Sequence, residues 1–314
     1  MAPKRVSIER ILCPTDFSDF SERALRRAVR LGAWFDAQVT AVHVIPLNSP
    51  AVMLAGAASG GYLGIPENLL REQRLDAAEE LHRVVAPHLT EGVALQTALV
   101  EGEPWVQVEE MAAALPADLV VMGTHGRSGW DRFVLGSTTE KVMRRVACPV
   151  LAVGQADAAT AGPLYNRILC ASDLTAFSQP TVDLALSFAQ ENLAQVTLLH
   201  VLEGRQSPPP ELHRPWQEPA RGPVDAALEQ LGRAAWPARG FCDVQQRVET
   251  GSAWREIVRV AEETKAELIV VGAHATGGFG RLFLGSTANQ VVRHAPCPVL
   301  VARQVMTRGQ QKTA

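Results

Sequence analysis

This 314-residue chain is constrained above all by the fact that it is written twice. Gly123-Thr-His-Gly126, nine residues and Gly136-Ser137-Thr138 return as Gly272-Ala-His-Ala275, nine residues and Gly285-Ser286-Thr287. Ile11-Leu12-Cys13-Pro-Thr-Asp16 returns as Ile168-Leu169-Cys170-Ala-Ser-Asp173, and Val42-His43-Val44 as Leu199-His200-Val201. The offset is 157 for the Asp and His pairs and 149 for Trp105/Trp254, Gly123/Gly272, Gly136/Gly285 and Pro149/Pro298. The second copy has therefore lost eight residues between Val201 and Trp254, which places the loss in the region of the proline-rich loop Glu203–Pro223. Solenoid repeats run to roughly 20–50 residues. A repeat of about 150 is a duplicated domain. The sequence divides into a domain at 1–155, a linker at 156–165, a second domain at 166–304 and a polar tail at 305–314.

Each copy reads as alternating strands and helices. In the first, Arg10–Cys13 is a short apolar strand, and Ser18 or Asp19 caps a helix whose apolar face is Ala24, Leu25, Ala28, Val29 and Leu31. Gln38–Ile45 follows as a strand, then a loop over Pro46–Pro66 and a long helix over Glu67–Leu89. Val93–Val100, Asp118–Met122 and Pro149–Val153 are strands, and Pro104–Leu115 and Ser137–Val146 are helices. This order predicts an α/β class: two tandem doubly wound domains, each a five-stranded parallel sheet with helices on both faces. The continuous apolar runs Leu119–Met122 and Leu268–Val271 fit strands buried on both sides.

Composition excludes several partners. The net charge is −3, with 20% charged residues, so no basic surface calls for nucleic acid or an anionic membrane. The longest apolar stretch, Ala51–Ile65, falls short of the roughly 20 residues a membrane helix needs. The N-terminal residues contain no apolar leader, so a cytoplasmic location is expected. None of the five cysteines pairs at metal-ligand spacing. Cys13 and Cys170 read as small apolar residues on core strands.

In an open α/β sheet, ligands bind beyond the carboxyl ends of the strands, where the strand order reverses. Met122-Gly123 ends such a strand. Glycines there admit a ligand close to the backbone and tolerate positive φ. The helix that opens at Ser137 presents unpaired N–H groups and a partial positive charge to an anion. Gly123, Gly126, Gly136, Ser137 and Thr138 thus form a candidate polyphosphate cradle, to which Arg127 adds a charge. Ser137 followed by Glu140 is equally a capping box, which needs no ligand. Asp16, past the first strand, is placed either to accept ribose hydroxyls or to cap a helix. His43-Val44 places backbone groups against a base edge, or His43 is a packed, hydrogen-bonded side chain. No Gly-Lys-Ser/Thr loop or catalytic triad stands out, and His125 and His274 sit inside the glycine segments. The residues alone leave three readings open: nucleotide sensor, interaction module without nucleotide, and slow ATPase.

Pro14-Thr15-Asp16-Phe17-Ser18, Val42-His43-Val44-Ile45, and Gly-x2-Gly-x9-Gly-Ser followed by Cys148-Pro149-Val150 resemble the universal stress protein family, over nearly the whole chain. The resemblance implies five parallel strands per domain and an ATP-binding subclass, with or without Mg²⁺. By position, Pro14, Thr15 and Asp16 would lie at the ribose, Val44 at the adenine and Met122 in the pocket wall. Gly123, Gly126, Arg127, Gly136, Ser137 and Thr138 would lie at the phosphates. It implies a stress-response or regulatory role in which ATP occupancy changes conformation or partners. It also implies dimerisation through the last strands, Val150–Val153 and Val299–Ala302, within one chain or as a homodimer. The second copy keeps Asp173, Val201, Gly272, Gly285, Ser286 and Thr287. It departs at Ala275, at Thr276 for Arg127 and at Asn289 for Glu140, so a weaker or vacant second site is expected.

Overall fold

The structure, a computed structural model, describes residues 6–47, 67–89, 92–126, 135–154, 165–175, 178–190, 194–203, 222–235, 242–273 and 284–303. Most of the Pro46–Pro66 and Glu203–Pro223 loops, most of the linker, Arg127, the stretch from His274 to Gly280 and the tail lie outside these residues. The chain divides into two compact units, one built on Ser7–Leu164 and the other on Tyr165–Gly278 with Gly285–Ala314.

The first unit runs β1 (Arg10–Thr15), α1 (Asp19–Phe35), β2 (Gln38–Ile45), α2 (Glu67–Val85), β3 (Leu95–Glu101), α3 (Pro104–Ala114), β4 (Leu119–Gly123), α4 (Ser137–Arg145) and β5 (Val150–Val153). The second repeats it: β6 (Arg167–Ala171), α5 (Gln179–Gln190), β7 (Gln195–Leu202), α6 (Pro223–Ala235), β8 (Asp243–Thr250), α7 (Ala253–Glu263), β9 (Leu268–Gly272), α8 (Ser286–His294) and β10 (Val299–Ala302). Within each unit the strands are parallel, in the order β3-β2-β1-β4-β5 and β8-β7-β6-β9-β10. The order reverses between β1 and β4, and between β6 and β9. A crevice at those strand ends is the ligand position of such sheets.

The central strands explain the sequence pattern. Ile11, Leu12 and Cys13 of β1 and Leu119, Val120 and Val121 of β4 are buried, as are their counterparts in β6 and β9. Strands covered by helices on both faces read as continuous apolar runs. Helix α1 buries the predicted face of Ala24, Leu25, Ala28, Val29 and Leu31. Its cap is Ser18, whose side chain accepts from the Ser21 amide.

Two local expectations change. The helix predicted to reach Leu89 stops at Val85 and passes into a 3-10 turn, Ala86–His88. Pro87 lacks the N–H an α-helix needs and its ring crowds the preceding turn. Most of the eight-residue deletion also falls after the proline-rich loop rather than in it. The end of β7 matches the end of β2 at offset 157, and α6 begins 156 positions after α2, one residue fewer. It is α6 that is short, 13 residues against 19, so most of the deletion lies in this helix and the segment between it and β8.

Candidate functional site

The first unit gathers its candidate residues on three segments at the carboxyl end of the sheet: the turn after β1, the end of β2, and the path from β4 into α4.

The turn after β1 is built by short-range hydrogen bonds. Thr15 is buried, and its Oγ1 accepts from the Phe17 amide (3.1 Å) and donates to Ser21 Oγ (3.1 Å). Asp16 Oδ1 accepts from the Ser18 amide (3.1 Å) and hydroxyl (2.6 Å). Asp16 is therefore not the helix cap, which Ser18 supplies. Between them Phe17 is forced to φ 64°. That left-handed conformation costs a bulky L-residue about 1–2 kcal/mol. The strain is retained in both copies, because Leu174 stands at φ 61°. There Leu174 N donates to Ser172 Oγ (3.1 Å), and Asp173 Oδ1 accepts from the Thr175 amide (3.1 Å) and hydroxyl (2.8 Å). Asp16 is half-buried, whereas Asp173 is exposed.

At the end of β2, His43 is a packed, hydrogen-bonded residue. Its Nδ1 lies 2.8 Å from the Thr15 carbonyl, and its ring stacks on Phe17 at 4.2 Å and 22°. His200 repeats the hydrogen bond to Ser172 O at 2.8 Å. The β1–β2 ladder ends with Pro14 opposite Val42 and Thr15 opposite His43. The Ile45 carbonyl accepts from Gly102 N on the β3 side. By the alternation of a strand, Val44 turns its backbone to the β1 side. Its carbonyl is the first of β2 to lie past the paired length of β1. In the second unit Leu202 O accepts from Gly251 N, which leaves Val201 in the matching position.

The glycines are used for close approach and not for positive φ. None of Gly123, Gly126 and Gly136 has φ in the left-handed region. A Cβ on Gly123 would lie 2.9 Å from Phe20 Cβ and 3.0 Å from the Phe20 carbonyl carbon, so this glycine lets α1 pack onto β4. A Cβ on Gly126 would lie 2.6 Å from Asp16 Oδ2. That contact joins the glycine segment to the turn after β1. Met122, next to Gly123, is buried and paired with Ala152. His125 is built into the segment, its Nδ1 2.9 Å from Thr124 Oγ1 and its ring 4.9 Å from that of Phe20.

The capping box does not form. Gly136 is the N-cap of α4, at φ −56° and ψ 135°, with no side-chain cap, so Ser137 is the first helical residue. Gly136 N donates to Thr124 O (2.8 Å), which ties the start of α4 to the residue after β4. Glu140 sits too far into the helix to reach back. Its carboxylate instead pairs with Arg144 at 2.7 Å, one turn further on. Ser137 is exposed and Thr138 half-buried at an end where backbone N–H groups have no intrahelical partner. Thr139, which the sequence motif does not include, is buried and donates from Oγ1 to Gly123 O (2.8 Å), tying α4 to the end of β4.

In the second unit, Gly285 caps α8 at φ −59° and ψ 152°, again without a side-chain cap, ahead of Ser286 and Thr287. Gly272 ends β9. The tie made by Thr139 is gone, since Ala288 stands in its place, and Ala273 replaces Thr124. The first of these differences lies outside the glycine motif, and the second at one of its unspecified positions.

Among the described residues no three potential ligands cluster to hold a metal ion, and no helix is long and apolar enough to cross a membrane. The buried Cys13 and Cys170 thiols are pushed up to about 12 by burial, in Cys170 with a smaller contribution from Asp183.

This arrangement has relatives. A universal stress protein of Mycolicibacterium smegmatis is 29% identical over 295 residues, covering 93% of this chain and 96% of its own. One from Methanocaldococcus jannaschii is 38% identical over 145 residues, 46% of this chain and 81% of its own. The crystal structure of a universal stress protein from Archaeoglobus fulgidus has the same fold. Its TM-score is 0.72 at 22% identity, over 94% of this chain and 98% of that one. The sequence profile of the universal stress protein family matches residues 7–154 and again residues 164–303. With both halves matched, the chain belongs to the universal stress protein family.

Proposed function

We propose that the first unit binds ATP and that the protein is a nucleotide-responsive regulator. The observation that carries this reading is the start of α4: a helix N-terminus without a side-chain cap, beside the glycine end of the strand at the switch point. Phosphates suit such a terminus through its free N–H groups and its dipole. Ser137, Thr138 and the backbone from Gly126 to Gly136 would hold them, with Arg127 supplying charge and Mg²⁺ as an optional counterion. Asp16 would accept from the ribose hydroxyls, next to Pro14 and Thr15, and the Val44 carbonyl would face the adenine amino group. Glu140 is compatible with an anion there because Arg144 neutralises it. ATP would contribute negative charge and hydrogen-bonding groups. The chain's part is to position and desolvate them.

A pure interaction module draws on the capping box at Ser137, which the described residues do not form, and on the altered second motif, which remains. A slow ATPase would use His125 or Asp16; the His125 Nδ1 and ring are engaged by Thr124 and Phe20, and Asp16 Oδ1 by Ser18. The second unit supports a weaker site: Asp173 is exposed, Ala275 replaces the glycine that faces Asp16, and Ala288 replaces the Thr139 tie. Pairing through Val150–Val153 and Val299–Ala302, within the chain or in a homodimer, and a cytoplasmic setting complete the proposal.

Titration calorimetry with ATP, together with mass spectrometry of small molecules released from the purified protein, tests it. About one ATP per chain is expected. No heat and no copurified nucleotide would overturn the reading, and two equivalent sites would overturn the asymmetry.

A further inference from the structure

We propose that His43 is a positioning residue, a clamp that sets the Asp16 carboxylate through the Phe17 turn. The proposal rests on the nucleotide reading only for its ligand-binding consequence. His43 lies directly across the β1–β2 ladder from Thr15, the last residue of β1. Its Nδ1 faces the Thr15 carbonyl at 2.8 Å, and a carbonyl only accepts, so Nδ1 carries the proton. One face of the same ring stacks on Phe17 at 4.2 Å. The imidazole thus grips the chain on both sides of Asp16: the carbonyl before it and the side chain after it. Phe17 is the residue held at positive φ, a conformation that persists only when its surroundings over-determine it.

The duplication offers a comparison for the clamp. His200 keeps the hydrogen bond to Ser172 O, and Leu174 keeps the left-handed conformation, but residue 174 has no ring to stack. The bonds to Thr15 or Ser172 Oγ and to the Asp carboxylate are matched donor for donor, while Ser21 N donates to Ser18 Oγ where Ser178 N donates to Thr175 O. Asp16 in the stacked copy is half-buried with Oδ2 against Gly126, and Asp173 in the unstacked copy is exposed. Among the described residues, the aromatic stack is one component of the turn that the second copy lacks. Its role is to keep the turn from opening, so that the Asp16 carboxylate is already in place when ligand arrives.

Three variants separate the parts. Phe17→Leu reproduces the second copy. His43→Asn retains an N–H able to reach the Thr15 carbonyl but has no ring. His43→Ala removes both. The first readout is amide hydrogen exchange of Phe17 and Ser18 in nucleotide-free protein, with Val120 and Val121 of β4 as internal controls. His43→Ala should raise exchange at Phe17 and Ser18 about tenfold or more while β4 is unchanged, with His43→Asn and Phe17→Leu in between. Exchange within about twofold of wild type in His43→Ala would overturn the clamp. If His43→Ala loses β4 protection, Phe17→Leu decides on the same criterion. The second readout is the ratio of affinities for ATP and 2′,3′-dideoxy-ATP. The wild type should prefer ATP. His43→Ala should lose that preference while its affinity for the dideoxy nucleotide is unchanged, which a general loss of structure would not produce. A preserved preference overturns the proposal. A wild-type protein that binds neither nucleotide sinks the ATP reading, and the exchange measurement then decides the clamp alone.

Discussion

Asp16 and Gly126 fix each other's places: a Cβ on Gly126 would stand 2.6 Å from Asp16 Oδ2. The carboxylate has little room to turn away, because its other oxygen is held by the Ser18 amide and hydroxyl. Gly126→Ala should therefore move Asp16 or the glycine segment while leaving the core intact. The expected outcome is a fall in ATP affinity of about tenfold, worth about 1.4 kcal/mol, with little change in Tm. In the second copy the natural residue is alanine, and Ala275→Gly should raise occupancy of that site. Calorimetry on both variants checks this. Unaltered affinity in Gly126→Ala would separate the Asp16 contact from nucleotide binding.

Ser137 separates a capping role from an anion-binding role, because the two predict opposite signs. It is the exposed first residue of α4, behind an N-cap glycine that supplies no side chain. An acidic residue in the first turn favours the helix by about 0.3–1 kcal/mol through the dipole. Ser137→Asp should therefore raise Tm by about 1–3 °C in a unit of this size. The same carboxylate occupies the place of a phosphate and repels it, so ATP affinity should fall by about tenfold or more. Thermal unfolding with and without ATP reads both effects. A variant that gains stability and keeps full affinity would place the phosphates elsewhere.

The order of elements is legible because buried parallel strands such as Leu119–Gly123 are continuous apolar runs, and α1 shows its buried face at helical spacing. The candidate site is legible as a set of residues, less so as a set of reasons. Gly123 also serves the approach of Phe20, a contact between segments a hundred positions apart that no local pattern reveals. Ser137 and Glu140 match a capping box in spacing, but the cap lies one residue earlier at Gly136. A helix boundary shifted by one residue cancels the motif. Thr139 escapes notice because a threonine in a first turn is commonplace until its hydroxyl is seen to hold the Gly123 carbonyl. Phe17 and Leu174 are equally ordinary letters. Only backbone angles show that both are strained, and only the structure shows that the Phe17 ring lies on that of His43.

Cys13 and Cys170 give a prediction about pH that is independent of any ligand. Both thiols are fully buried on central strands, and burial disfavours the thiolate, pushing each up to about 12 from 9.0. In the unfolded chain they ionise near 9. Between pH 9 and 12 the unfolded state has therefore released protons that the folded state still holds. Stability is full below about pH 9 and is lost as pH rises, by about 1.4 kcal/mol per unit for each thiol. The double variant Cys13→Ala, Cys170→Ala will be less stable at neutral pH through lost packing. Between about pH 9 and 10.5, however, its stability should fall less steeply than that of the wild type, by up to about 2.7 kcal/mol per unit for the two sites together. Urea unfolding at stepped pH measures the difference. In the same range, alkylation of the folded protein should spare Cys13 and Cys170 and modify them only on unfolding, since the thiolate is the reactive species. Parallel slopes for the two proteins, or rapid native-state alkylation at Cys13, would mean that these strands open far more readily than their burial implies.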